Sequence, residues 1–252
     1  MELKGCVAAI TGGAGGLGAA VARHVAASGG SVAILDRDAG GAALAEEIGG
    51  RFFALDVTDA AACAAVLAEV AGAGRLDLMV NCAGIAPAAK TVGRDGAHDP
   101  ELFARVIAIN LVGTFNCASA AAAIMSAQDG QGPDGERGVI VNTASVAAYE
   151  GQIGQAAYAA SKGGVASLTL PMARDLASRG VRVVAVAPGL FLTPMLQGLP
   201  QEVQDSLGAQ VPYPSRLGQP SEFASLVAEI ARNPMLNGEV IRLDGAIRMT
   251  PR

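Results

Sequence analysis

Seven short apolar runs recur along the chain, most of them separated by longer alanine-rich stretches. They are "CVAAIT" ending at Thr11, "SVAILD" at Asp36, "RFFALD" at Asp56, "LDLMVN" at Asn81, "GVIVNTAS" at Ser145, "VRVVAVAP" at Pro188, and "GEVIRLDG" farther on. The runs are apolar throughout, where a half-exposed strand would alternate apolar with polar. Continuous apolar runs fit strands buried on both faces, as in a parallel sheet covered by helices. Candidate helices lie between them, near 17–28, 39–48, 59–72, 100–127, 156–178 and 220–232. This alternation predicts an α/β fold: a single-domain Rossmann-type doubly wound parallel sheet of about seven strands, its order reversing at the first strand.

No linker divides residues 1–252. The polar stretch 126–138, "SAQDGQGPDGERG", reads as a surface excursion. The segment 189–215 has several prolines and weak periodicity. It follows a strand's carboxyl end, where ligands bind in such sheets, so a substrate loop is expected there, with a plain connector as the alternative.

Composition closes off other classes. With 51% apolar residues there is enough material for a large core, and with 4% aromatics and no Trp that core must be aliphatic. The net charge is −5 and no Lys/Arg run is present, so no nucleic-acid partner is expected. Cys6, Cys63, Cys82 and Cys117 have no metal spacing, and His24 stands far from His98. No metal is expected, and four reduced thiols point to the cytoplasm. The first apolar run begins near Cys6, so no signal or transit peptide is expected ahead of it. "CASAAAAIMSA" is shorter than a membrane span and reads as a buried helix.

"TGGAGGLG" (11–18) follows the first run and opens the first helix. Gly13-x-Gly15-x-x-Gly18 fits the dinucleotide fingerprint, and so does Gly12-x-x-x-Gly16-x-Gly18. A flexible turn would also use glycine. Between a strand and a helix, however, glycines let backbone approach a pyrophosphate at a helix N-terminus. Asp36 ends the second run 18 residues after Gly18. A carboxylate there accepts from ribose hydroxyls and repels a 2′-phosphate, which favours NAD over NADP. Arg37, next to it, could instead serve a phosphate. Asp56, with Val57 beside it, is placed to reach the adenine edge or to cap a helix as "DVTDA". Asn81-Cys82-Ala83-Gly84 ends the fourth run with the small residues that close packing against a ribose requires.

Only three tyrosines and three lysines occur in the chain, yet Tyr158 and Lys162 stand four residues apart, on one helix face. A free phenol titrates near about 10, and a close ammonium favours the phenolate. Lowering it by about three units takes about 4 kcal/mol of differential interaction. The alternative is a solvated helix face. Ser145, thirteen residues upstream, could hydrogen-bond a carbonyl and stabilise charge developing on it. Asn110, in "VIAINLVG", is a polar residue among apolar ones and demands partners.

In this order, Gly12-x-x-x-Gly16-x-Gly18, Asn81-Cys-Ala-Gly84, Asn110, Ser145, Tyr158-x-x-x-Lys162 and Pro188-Gly189 resemble the short-chain dehydrogenases/reductases over essentially the whole chain. "NTASVAAYEGQIGQAAYAASKGG", "APGLF", "VPYPSRLG" and "NGEVIRLDGAIRM" are most similar to the branch of that family acting on 3-hydroxyacyl-CoA. The resemblance implies Tyr158 as general acid/base, Lys162 lowering its pKa and holding the nicotinamide ribose, Ser145 orienting the carbonyl, and Asn110 holding a relay water. It implies NAD, contacted by Gly15, Leu17, Asp36, Asp56, Val57, Cys82, Phe191 and Thr193. It also implies a homotetramer that oxidises an L-3-hydroxyacyl-CoA to the 3-oxoacyl-CoA. Gln152 and Gln155, between Ser145 and Tyr158, are candidates for substrate contact. Three alternatives stand beside this reading. One is a 3-oxoacyl-carrier-protein reductase, usually NADPH-dependent and therefore disfavoured by Asp36. The second is a hydroxysteroid or small-alcohol dehydrogenase. The third is a non-catalytic dinucleotide-binding scaffold, which would need no intact Ser–Tyr–Lys set.

Overall fold

The computed structural model describes residues 1–72, 74–94 and 96–251. Each apolar run contributes one strand: β1 Val7–Thr11, β2 Ser31–Asp36, β3 Arg51–Ala54, β4 Leu78–Asn81, β5 Gly138–Thr143, β6 Val181–Pro188 and β7 Val240–Leu243. They form one sheet, ordered β3-β2-β1-β4-β5-β6-β7, with every neighbouring pair parallel. The order reverses at β1, as the alternation predicts. A two-residue hairpin, Val92–Gly93 with Gly96–Ala97, stands apart from the sheet.

Burial on both faces follows from strand geometry, because successive side chains point to opposite sides. Ile10, Ile34, Val80, Val141 and Val184 turn to one side and pack with helices α1 (Gly16–Ala27), α2 (Gly41–Ile48) and α8 (Pro220–Arg232). Ala9, Leu35, Met79, Ile140 and Val183 turn to the other, onto α3 (Ala60–Ala71), α4 (Pro100–Ala127) and α5 (Ala156–Leu176). Fully burying such a side chain contributes about 1.5–3 kcal/mol, so a polar residue on either face would be costly.

Two strand ends and the content of one loop differ from the sequence reading. The third run stops at Ala54 rather than Asp56, because its only neighbour, β2, ends at Asp36, which pairs with Ala54. The fifth stops at Thr143, and Ser145 instead N-caps the 3₁₀ turn Val146–Ala148. The segment 189–215 is not a plain loop: it carries α6 (Pro194–Gln197) and α7 (Gln201–Ala209). In addition, α4 is continuous over 28 residues and apolar enough to cross a membrane by length and composition, unlike the alanine run alone. Its Cys117, Ala118, Ala121 and Met125 lie in the core at 0% exposure. At Ala108–Val112 it passes through a π-helical turn, a distortion that often marks functional sites.

Candidate active site at the carboxyl edge of the sheet

The turns that follow β1 through β6 open into one cleft of about 800 Å³. The glycine turn supplies Gly12, Gly15, Gly16, Leu17 and Gly18. The next strand ends supply Asp36, Asp56 and Val57, then Cys82, Ala83 and Gly84. Ser145, Gln152, Gln155, Tyr158 and Lys162 line it too, as do Pro188, Phe191 and Thr193, the last of which lies against the glycine turn at Gly16. Asn110 lies behind the wall, fully buried.

The glycine turn fits a dinucleotide phosphate. Gly12 has φ +62°, and a Cβ there would sit 2.7 Å from Ala83 N. A Cβ on Gly18 would sit 2.3 Å from Gly12 O, and one on Gly13 2.8 Å from Ile10 O. A Cβ on Gly15 would meet nothing within 4 Å, and Gly15 N-caps α1 with no side chain to cap it. The first N–H groups of α1 are thus left to a ligand, and these unpaired donors at the positive end of a helix suit an anion.

Asp36 serves this turn as well as the cleft. Its Oδ2 accepts from Ala14 N at 3.0 Å and its Oδ1 from Asp38 N at 3.0 Å. Each oxygen keeps acceptor capacity for a hydroxyl. Arg37, the residue that left cofactor choice open, lies 3.6 Å from Asp56. Asp56 is not the cap of α3. That is Asp59, which accepts from Ala62 N at 2.9 Å. Asp56 closes an Asx turn on Thr58, and those Thr58 hydrogen bonds, aided by Arg37, hold its carboxyl below the usual range. Cys82 accepts from Thr143 Oγ1 at 3.4 Å, and burial pushes its thiol up to about 11, so it offers shape without charge.

At the other end, Tyr158 and Lys162 share the first turns of α5, with Lys162 Nζ 5.9 Å from the phenol ring centroid. The ammonium is buried and donates to the Thr143 carbonyl at 2.7 Å. No carboxylate pairs with it among the described residues. Burial pushes it down to about 8. The expected drop in the Tyr158 pKa is not what its surroundings in the fold produce. Burial pushes the phenol up, and the Ser145 hydroxyl is the group that opposes this. Desolvation of the phenol outweighs that hydrogen bond, and the Lys162 ammonium over the ring does not reverse it.

Asn110 falls in the π turn of α4. Its Nδ2 donates to Ile85 O at 2.8 Å and Ser161 Oγ at 3.0 Å, and its Oδ1 accepts from Ile85 N at 2.8 Å. With both amide hydrogens committed, it offers a water acceptor capacity only. The Ser161 hydroxyl in turn donates to the backbone carbonyl of Tyr158 at 2.7 Å, so Asn110 is linked to the helix turn that carries the phenol.

Sequence reasoning missed Ala14, whose N–H holds Asp36, and Thr143, whose carbonyl holds Lys162, because no side-chain pattern reports backbone contacts. It also missed Ser161, although its place beside Lys162 was a signal. Met249, which reaches the same cleft from the far side of β7, carried none.

Residues 6–204 match the short chain dehydrogenase family. The chain is 53% identical to 3-hydroxyacyl-CoA dehydrogenase type-2 of Homo sapiens, over 99% of this chain and 98% of that protein. It is 52% identical to the protein of the same name from Drosophila melanogaster, over 99% and 100%. The crystal structure of 3-hydroxyacyl-CoA dehydrogenase type-2 from Mycobacterium avium superposes with a TM-score of 0.94 at 44% identity, covering 98% of each chain. A glycine turn built for a nucleotide phosphate faces a tyrosine, a lysine and a serine across one cleft, and the chain belongs to the short-chain dehydrogenase family of oxidoreductases, enzymes that use a nicotinamide cofactor.

Proposed function

We propose that this enzyme interconverts L-3-hydroxyacyl-CoA and 3-oxoacyl-CoA with NAD as its cofactor. The reading is carried by full-length similarity to the proteins named above, joined to a cleft holding Ser145, Tyr158 and Lys162 together. Asp36 at the end of β2, with Arg37 turned to Asp56, supports NAD over NADP.

The glycine turn, Asp36 and Lys162 would hold NAD, which would supply the hydride acceptor and a positive charge to the site. Ser145 and Tyr158 hold the 3-hydroxyl by hydrogen bonds. Tyr158, as phenolate, takes the hydroxyl proton while the hydrogen on carbon 3 departs as hydride. Lys162, which lines the cleft, has two ammonium hydrogens left after Thr143, enough to hold a ribose and steady the phenolate. Asn110, with acceptor capacity alone, receives a water through which the proton leaves. Gln152 and Gln155 border the substrate.

A homotetramer is part of this reading, supported by Phe103, Val112 and Phe115, which stand 40%, 45% and 48% exposed on α4. The free thiols of all four cysteines support a cytoplasmic setting. The deciding experiment is initial rates with acetoacetyl-CoA, a 3-oxoacyl-carrier protein and a steroid ketone, each with NADH and NADPH. Highest kcat/KM is expected for acetoacetyl-CoA with NADH. A preference for the carrier protein with NADPH would replace this reading with a reductase.

A further inference from the structure

Beyond β7 the chain makes a turn it has to be forced into. Gly245 and Ala246 both have positive φ, +59° and +67°, and Ala246 is the one non-glycine residue in that region among those described. Asp244 holds the turn by accepting from Ala246 N at 3.0 Å. Ile247, 2% exposed, fills the space beneath. Left-handed alanine persists where the surroundings over-determine it, and such positions cluster at functional sites.

The turn sends residues 248–251 alongside the segment that carries Gln152 and Gln155. Ile153 N donates to Pro251 O at 3.0 Å and Gln152 Nε2 to Thr250 O at 3.1 Å. Glu150 takes both ends of the Arg242 guanidinium, at 2.8 and 2.9 Å, while Arg242 Nε reaches Asp244 at 2.7 Å. Arg248 lies 3.4 Å from Glu150. Strand, turn, tail and substrate segment are therefore tied through one carboxylate. Between these ties Met249 lines the cleft with Gln152, Gln155 and Tyr158. A thioether gives no strong hydrogen bond to a thioester or a phosphate, but its flexible apolar chain packs well against alkyl groups.

We propose that Met249 is a specificity-determining residue, the wall against which the acyl chain of the substrate packs, and that the Glu150–Arg242 pair positions it. This rests on the function proposed above.

The test measures kcat/KM for 3-oxododecanoyl-CoA and for acetoacetyl-CoA with NADH, and takes their ratio. Met249→Phe, which narrows the site, should lower that ratio about ten-fold or more, and Met249→Ala should raise it, because methylenes in an apolar pocket discriminate on that scale. Glu150→Gln should raise KM for the long substrate more than it lowers kcat, a split that simple loss of folded enzyme does not produce. The proposal is overturned if both Met249 variants turn over acetoacetyl-CoA and keep the ratio of the unaltered chain. It is overturned equally if they change discrimination between acetoacetyl-CoA and a truncated acetoacetyl thioester instead of chain length. An unaltered chain that reduces neither CoA thioester but does reduce another ketone overturns the parent reading, and this one with it.

Discussion

Among the described residues two cations are buried, at opposite edges of the same sheet, and they are held in opposite ways. Arg182, at the start of β6, donates to Glu136 at 2.7 Å and to the carbonyls of Ile230, Ala231, Asn233 and Leu236 at 2.8–3.2 Å. Two of those carbonyls belong to the last turn of α8, so the guanidinium closes the negative end of that helix. Lys162, near the carboxyl edge, has one carbonyl and no carboxylate. The fully partnered cation is structure. The under-partnered one costs stability and keeps donors free for something not in the fold, as stability–function trade-offs at active sites predict.

The comparison can be broken in order of effect. The largest belongs to the group that Lys162 stands beside. Tyr158→Phe should lower kcat by about a thousand-fold, on the scale of a lost general base, while NADH still binds in a fluorescence titration. Retained turnover would show that the phenol is not the base. Next, Arg182→Met should destabilise the folded chain by about 3–5 kcal/mol in urea, because it leaves Glu136 and several carbonyls short of a partner. The activity of the molecules that remain folded should be kept.

Lys162→Met should do the reverse, losing turnover and gaining stability. With the ammonium pushed from 10.5 to about 8, removing it should add about 3 kcal/mol at neutral pH. The sign in pH follows. Between about 8 and 10.5 the unfolded chain holds this proton while the folded chain has shed it, so the parent's stability rises across that window. The gap between parent and variant should therefore narrow there and be widest below 8, as read from melting temperatures. A constant gap would mean that Lys162 is not the buried charge described.

The smallest effect belongs to an exposed pair. Glu222 closes the capping box of α8 and takes both nitrogens of Arg216, which lowers its carboxyl to about 2. Its side chain is 41% exposed, so screening leaves about 1 kcal/mol or less for Glu222→Gln. That contribution is present at neutral pH and lost as pH falls through about 2.

The contrast between the two cations was not legible in the sequence. Lys162 was singled out by its spacing from Tyr158. Arg182 sat unnoticed inside "VRVVAVAP", one charged residue at the mouth of a strand whose partners lie near 136 and 230. Strands, the glycine turn and the Tyr–Lys face were readable because they rest on spacings of two, three or four residues that the backbone converts directly into geometry. Even there, the ends of β3 and β5 moved by two residues, β3 because β2 ends beside it and β5 because Ser145 turns the chain into a 3₁₀ cap.

By itself, then, the sequence determined a doubly wound parallel sheet, a phosphate-fitting turn at its first strand, and a tyrosine and lysine on one helix face. The tertiary structure alone decided that burial raises the Tyr158 phenol, that Arg37 leans on Asp56, that Asn110 has spent its amide hydrogens, and that Met249 lines the cleft with Gln152 and Gln155. The division has one cause. Local spacing dictates which side chains share a face, whereas desolvation, pairing and packing depend on neighbours brought in from elsewhere in the chain, 92 residues away for Glu150 and Arg242.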